Sequence, residues 1–555
     1  VKLCKLRDAL IGVALFGMTA AFTLWQNSRV GVLWDLSYLL DSSYRFSLGQ
    51  IPYKDLPFVH APGTFLLHAA IIRLCGRVYY PHILCAALEA GAATLLTWRI
   101  LVHQTASLGG QSWKTATVLA APLITLGIYA IYPHPIYDSD AILAILVALT
   151  LLMRQAQGRT TSFAAGVASA LPLFVKQNIG LLFLFAVLIS TVFIAFLRRQ
   201  KRLSNAAQRW LLAGIVVTTG ACLLVVHAVC GLEDYFFWTV TFARQRRMPG
   251  MAISLAPWHQ MSLLWTIPAA FLALVIYRRN FRWTRLLAAA LLAMPFLWMA
   301  AALALTSDPG DRADQLLSIW PHLLLLGIFL VFWNLRPARL RAATTFSAHL
   351  PFVLIATIYG TLLSQQLWGS TYALWPLLIL LVACLLRMVE SLARPLAVVV
   401  SCSLLLCGTL YAVSHERLSY IHLEEPVSRA TLPSMRGLAT PGPYIGNFEN
   451  LIRFTNDEIP ASDGILLLQG EDPFYFATGR VPRFPILLFD PATDPYTPAQ
   501  TAEEARIHDI RWLIVKTETQ LVAPPFPNQP AIGQAVEADF AEYRELPGYV
   551  IYRRK

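Results

Sequence analysis

A chain of 555 residues that is 56% hydrophobic and 14% charged, with a mean hydropathy of +0.55, is wrong for a water-soluble protein and reads as a polytopic membrane protein. The formal net charge of +12 would suggest nucleic acid in a soluble chain. Here the basic residues cluster between apolar runs, as cytoplasmic loops do, so nucleic acid is discounted as a partner.

The chain starts VKLCKLR and continues into a mostly apolar run, which reads as a retained first span. Runs of about twenty apolar residues, enough to cross a bilayer, are expected at 8–25, 79–101, 115–132, 139–153, 161–175, 179–197, 210–231, 260–277, 286–306, 317–335, 349–366, 375–389 and 396–412. They predict a polytopic α-helical membrane protein of about 13 transmembrane helices. Basic residues concentrate in alternate loops, including the RRQKR run from Arg198 to Arg202, so the positive-inside rule places the amino terminus in the cytoplasm. Asp35, Asp41, Asp55, Asp138, Asp140, Glu233 and Asp234 then fall on the extracytoplasmic face. The eight cysteines lie in or beside apolar runs without a CxxC pair, giving neither a zinc site nor a disulfide framework.

After Ala412 the composition turns polar. The expected organisation is therefore a transmembrane domain at 1–412, with its first external loop at 26–78, and a soluble extracytoplasmic domain at 413–555. Strand-like runs GILLLQ, RWLIVK and Tyr549–Arg553 alternate with helical patterns near 444–459, 498–508 and 532–543, which predicts a small α/β layer. There is no GxGxxG or Walker sequence to argue for a nucleotide.

The stretch from Trp34 to Gly63 gathers acids, bases, aromatics and prolines between two spans, the composition of a site. Asp35, the first acid after the first span, could take a proton from an incoming hydroxyl or could be an ordinary loop acid or helix cap. In YPHPIYDSDAILAIL, Asp138 and Asp140 with His134 could bind a divalent cation or orient a sugar, and His60 of the first loop is a further candidate for the same role; the acids could equally be caps favoured by the helix dipole. Lys176, in the polar interruption Lys176-Gln177-Asn178, could hold a phosphate or snorkel to the interface. Arg244, Arg246 and Arg247 in FARQRRMPG stand on the face where the positive-inside rule disfavours cations, which suits a lipid phosphate or unspecific contact with membrane lipids.

Taken together, WDLSYLLDSSYRFSLGQIPYKD, HAPGTFLLHA, YDSD and FVKQNIG resemble the GT-C superfamily of integral-membrane glycosyltransferases. The likeness is to the bacterial relatives of protein O-mannosyltransferases and of the lipid A aminoarabinose transferase, the glycosyltransferase 39-like group. The resemblance implies that Asp35 is the catalytic base and that the donor is a sugar on a polyprenyl phosphate. Its transfer would be to an extracytoplasmic glycan, lipid or protein acceptor, at a bacterial inner membrane, by a hexosyl- or pentosyltransferase. Lys176 or the three arginines would stabilise the departing phosphate, and a divalent cation is the one cofactor left open. Asp35 is followed by Leu36, where several O-mannosyltransferases carry a paired Asp-Glu, which points away from protein mannosylation. The rival readings are a transporter or flippase, against which the charges crowd one face rather than the midplane, and a non-enzymatic envelope assembly protein.

Overall fold

The computed structural model describes residues 2–106, 112–155, 158–197, 203–247, 258, 260–279, 281–305, 312–336, 345–361, 373–418, 421–490, 493–522 and 529–555. The basic run 198–202 lies outside them. Six helices among the described residues are long and apolar enough to cross a membrane: Leu6–Asn27, Tyr79–Thr105, Ala206–Val229, Arg282–Leu305, Gln315–Asn334 and Ala393–Val413. Shorter apolar helices, such as Gln177–Phe193, Leu263–Tyr277 and Trp375–Leu386, accompany them. The chain is thus a polytopic helical protein, as its hydropathy predicts.

Helix α1 (Lys2–Asn27) packs on α4 (Tyr79–Thr105), and between them the first loop carries α2 (Leu33–Ser47) and α3 (Gly63–Cys75). Two of the expected spans are not single helices. The run at 115–132 becomes α5 (Ser112–Ala120), a 3-10 turn at Ala121–Ile124 and an irregular segment leading to α6 (Tyr137–Met153). The run at 161–175 becomes α7 (Arg159–Ala170) and a 3-10 turn at Leu171–Phe174, which leads into α8 (Gln177–Leu197). Pro122 and Pro172 sit in the two 3-10 turns, where a proline removes a backbone donor and ends the regular helix. These breaks place Tyr129 in the irregular segment that precedes α6 and Lys176 immediately before α8, rather than in the middle of a helix.

Helix α7 packs closely on α9 (Leu203–Val229). A Cβ at Gly166 would lie 2.1 Å from the Leu211 carbonyl oxygen, and one at Gly214 2.2 Å from that of Phe163. Small residues let these two backbones touch, which is how helices pack where no hydrophobic effect drives them together.

Among the described residues all the strands follow Val413. Strands β1 (Val427–Arg429) and β2 (Ala439–Pro441) form an antiparallel pair. Strands β3 (Gly464–Leu468), β4 (Ile510–Lys516), β5 (Phe540–Leu546) and β6 (Tyr549–Arg554) form a sheet of order β3-β4-β6-β5, with β3 and β4 parallel. Alternation along the strands fills two faces. Ile465, Leu467, Trp512, Ile514 and Ile551 pack with the helix Tyr444–Glu458, and Leu466, Leu513 and Phe540 with the helices Pro498–Ile507 and Gln529–Glu537. The helix expected at 532–543 stops at Glu537, and Phe540–Leu546 is instead the edge strand β5, its exposed Glu, Tyr and Arg residues guarding the edge.

The strand-bearing domain rests on the first loop. Leu33, Leu36, Leu40 and Tyr44 of α2, with Tyr79 and Ile83 of α4, share one apolar cluster with Met435, Phe448, Phe474 and Tyr549.

Candidate active site

The site begins where α1 hands over to α2. Asp35 stands in the first turn of α2, half-buried between the buried Trp34 and Leu36. Burial first, then the charge of Asp138, push its carboxyl up to about 7; Asp490 adds to the effect and Lys176 opposes it. Carboxylates crowded together under partial desolvation hold their protons more tightly. A group with that titration is poised to exchange a proton near neutral pH.

Lys176 follows the 3-10 turn at Pro172, and its ammonium forms a buried ion pair with Asp138 in the first turn of α6. The same ammonium lies over the Tyr137 ring at 4.5 Å. His60 completes the wall: its ring centroid is 4.5 Å from that of Tyr137, and the Tyr38 hydroxyl is 3.0 Å from its Nδ1. Gln177 locks this part of the first loop to the membrane helices, donating to the Val59 carbonyl at 2.8 Å and accepting from the Ala61 N–H at 3.1 Å. The fold therefore gathers Asp35, His60, Asp138 and Lys176 from four separated stretches, and adds Asp490 from the C-terminal domain.

Asp140 turns elsewhere. It accepts from the Thr64 hydroxyl at 2.6 Å and lies 3.1 Å from the Tyr129 hydroxyl, which also lies 2.6 Å from Glu89. The acids of the Asp-Ser-Asp triplet thus serve two different networks, one around Lys176 and one around Tyr129. Among the described residues no group of three or more His, Cys, Asp or Glu side chains could hold a metal ion. Asp138, Asp140 and His60 each have separate partners, so the gathering that a divalent cation needs is not found in them. Arg244 is exposed on the short helix Ala243–Arg247 and does not enter the charge cluster around Asp35; the side chains of Arg246 and Arg247 lie outside the described residues.

Three residues escaped the sequence reading: Glu89 and Asp490, which join these networks, and Gln520, which accepts from the Leu33 N–H at the start of α2 at 2.8 Å. Glu89 had a usable signal, since it is an acid inside the apolar run at 79–101. Asp490 and Gln520 had none, because what matters is their approach to α2 from more than four hundred residues away in sequence.

No protein-family model matches the sequence, and no curated protein does. Among solved structures, the archaeal oligosaccharyltransferase AglB from Archaeoglobus fulgidus, in complex with an inhibitory peptide and a dolichol-phosphate, is similar at 11% identity and a TM-score of 0.50, covering 98% of this chain and 74% of that one. ArnT from Cupriavidus metallidurans bound to undecaprenyl phosphate is 12% identical with a TM-score of 0.49, covering 98% of this chain and 97% of that one. At such identities the likeness is one of fold. The chain shares its overall fold with that archaeal oligosaccharyltransferase.

Proposed function

We propose that this chain is a membrane glycosyltransferase that moves one hexose or pentose from a polyprenyl-phosphate donor to a hydroxyl of an extracytoplasmic glycan, lipid or protein. The observation that carries the reading is the placement of Asp35: a half-buried carboxyl at about 7, beside the Asp138–Lys176 ion pair, at the junction of the apolar helices and the C-terminal domain. A polyprenyl chain needs lipid and an acceptor hydroxyl arrives from water, so a site at that junction suits both substrates. With the amino terminus cytoplasmic, as the positive-inside rule directs, the site opens on the outer face of a bacterial inner membrane.

In this reaction Asp35 takes the proton from the acceptor hydroxyl as its oxygen attacks the anomeric carbon. The bond from that carbon to the phosphate oxygen breaks, its electron pair leaves with the phosphate, and the anomeric centre inverts. Lys176, held in place by Asp138 and by the Tyr137 ring, faces the charge that develops on the departing phosphate; a preorganised cation stabilises a transition state more than a ground state. Arg244 supplies a second cation for the donor's headgroup as it enters from the membrane.

The test is release of free polyprenyl phosphate by the detergent-purified chain from a panel of polyprenyl-phosphate sugars, with envelope extract as acceptor. Release by the wild type that is lost in Asp35→Asn, with donor binding retained, is expected. Equal release by both proteins would remove Asp35 from the mechanism, and no release from any donor would remove the transferase reading.

A further inference from the structure

Helix α2 carries Asp35 but lacks a cap of its own. Its N-cap residue is Val32, which has no side-chain acceptor, and the first N–H groups of a helix have no partner within it. The structure supplies one from the far end of the chain. The Leu33 N–H donates to Gln520 Oε1 at 2.8 Å across 487 residues of sequence. The same amide donates through Nε2 to the Gly31 carbonyl at 2.8 Å and to Thr440 Oγ1 at 2.7 Å, and Thr440 in turn donates to the Gly31 carbonyl at 2.8 Å. A primary amide that accepts from residue 33 and donates to residue 31 binds the chain as a neighbouring strand would. Gly31 permits the approach, since a Cβ there would lie 3.0 Å from the Ala439 carbonyl oxygen of β2.

The grip continues along one side of α2. Ser37 donates to the Gly470 carbonyl. Asp41 accepts from the N–H groups of Tyr475 at 3.2 Å and Phe476 at 2.7 Å. Tyr44 donates to the Gly479 carbonyl at 2.8 Å, and Arg45 donates to the carbonyls of Phe484 at 2.7 Å and Pro485 at 2.6 Å. Positions 33, 37, 41, 44 and 45 share one helical face. Asp35 is two residues from both 33 and 37, about 200° around the helix, so it projects from the opposite side, where Asp138 and Lys176 act on it.

We propose that Gln520 is a positioning residue for Asp35, and that the C-terminal domain is a fixed backing for the helix that carries the base rather than a lid. The Gln520 segment is itself anchored: the Leu521 N–H donates to Glu471 at 3.1 Å, and Glu471 pairs with Lys516 at 2.5 Å. The role rests on the reading of Asp35 as the base, and both can be tested in one series. In Gln520→Leu the cap and the Gly31 contact are lost together. Because a misplacement of about 1 Å can cost on the order of a hundredfold, kcat per folded molecule is expected to fall about ten- to a hundredfold, while KM for the donor stays within about twofold. The pH midpoint of the rate should fall as well, since a loosened first turn admits water to Asp35 in its setting of Asp138, Lys176 and Asp490. A purely structural residue would lower the yield or the unfolding temperature and leave both kcat per folded molecule and the pH midpoint unchanged; that result would overturn the proposal. Should Gln520→Leu not fold, Thr440→Val removes one of the two donors to the Gly31 carbonyl. It is expected to give a smaller shift of both quantities in the same direction, with no shift again the overturning result. Activity surviving in Asp35→Asn would overturn the underlying reading; activity lost there but normal in Gln520→Leu would overturn the positioning role alone.

Discussion

The titration of Asp35 gives the most direct test of the site. If the carboxylate must be ionised to take the acceptor proton, and its pKa is about 7, about 9% of the enzyme is competent at pH 6 and about 91% at pH 8, a tenfold rise in rate. The neighbours fix the direction in which variants move this curve. Burial is the largest cause of the upward shift and survives substitution nearby, but Asp138 is the next, and Lys176 opposes both. Asp138→Asn removes a repelling charge and leaves the Lys176 ammonium to favour the ionised base, so its midpoint should fall. Lys176→Met removes the opposing cation and leaves Asp138 behind, so its midpoint should rise. Each change is expected to be on the order of one pKa unit, about 1.4 kcal/mol of differential interaction. The assay is the initial rate of polyprenyl phosphate release at donor concentrations well below KM between about pH 5.5 and 9, normalised to each variant's own plateau. Both variants are expected to be slow, since both touch the pocket, but the midpoint is independent of the plateau. Midpoints that shift in the same direction, or not at all, would show that Asp35 is not the group whose ionisation controls the rate.

Three further outcomes follow from the packing. In the C-terminal domain burial would lower the pKa of Lys516, yet Asp472 and Glu471 hold its ammonium charged, above its ordinary range, and Tyr549 donates to Asp472 at 2.8 Å; Lys516→Met leaves two buried carboxylates without their cation and should cost about 3–5 kcal/mol, read as a lower unfolding midpoint by Trp512 fluorescence. Gly166→Ala and Gly214→Ala drive a Cβ into backbone oxygen between α7 and α9, whereas a Cβ at Gly220 on the same α9 meets nothing within 4 Å; the first two should abolish most monodisperse protein in detergent, Gly220→Ala should not, and equal yields would refute the close contact. Asp140 accepts from the Thr64 hydroxyl and lies within hydrogen-bond reach of the Tyr129 hydroxyl; Asp140→Asn, which keeps an acceptor oxygen, should stay within about threefold of wild-type activity while Asp140→Ala, which orphans Thr64, loses about tenfold or more, and an Asn variant as damaged as the Ala one would refute the hydrogen-bonding role.

What the sequence made legible was whatever carried a local signal. Asp35, the Asp-Ser-Asp triplet and Lys176 each interrupt an apolar run, and hydropathy alone marks such interruptions. Which of the two triplet acids meets Lys176 depends on helical phase: Asp138 and Asp140 are about 200° apart on α6 and cannot share a partner on one side. That choice needs the orientation of α6, which tertiary packing sets. The run at 115–132 satisfied a length criterion blind to Pro122, and 532–543 reads as one helix until the pairing of Phe540–Leu546 with β6 is known. Gln520 lies beyond any local inference, because an amide in a polar loop has no mark that distinguishes a cap of a helix 487 residues earlier from a solvated side chain.

The arrangement of charge also gives the proposed reaction a direction. Asp138 and Asp490 lie on the side of raising the proton affinity of Asp35, and Lys176 is the cation beside them. As the acceptor proton reaches Asp35, one negative charge leaves the crowded carboxylates and appears on the departing phosphate, which the reading sets against Lys176. Repulsion is relieved at one end and attraction gained at the other, so the same asymmetry that makes Asp35 a stronger base also favours departure of the phosphate. The donor brings its own negative charge into this field, and its arrival should raise Asp35 further. The pH midpoint of kcat, which reports the enzyme with donor bound, should therefore lie above that of kcat/KM, which reports the free enzyme. Coincident midpoints would mean that the phosphate sits beyond electrostatic reach of Asp35, and the coupling between base and leaving group would have to be abandoned even if both groups proved essential.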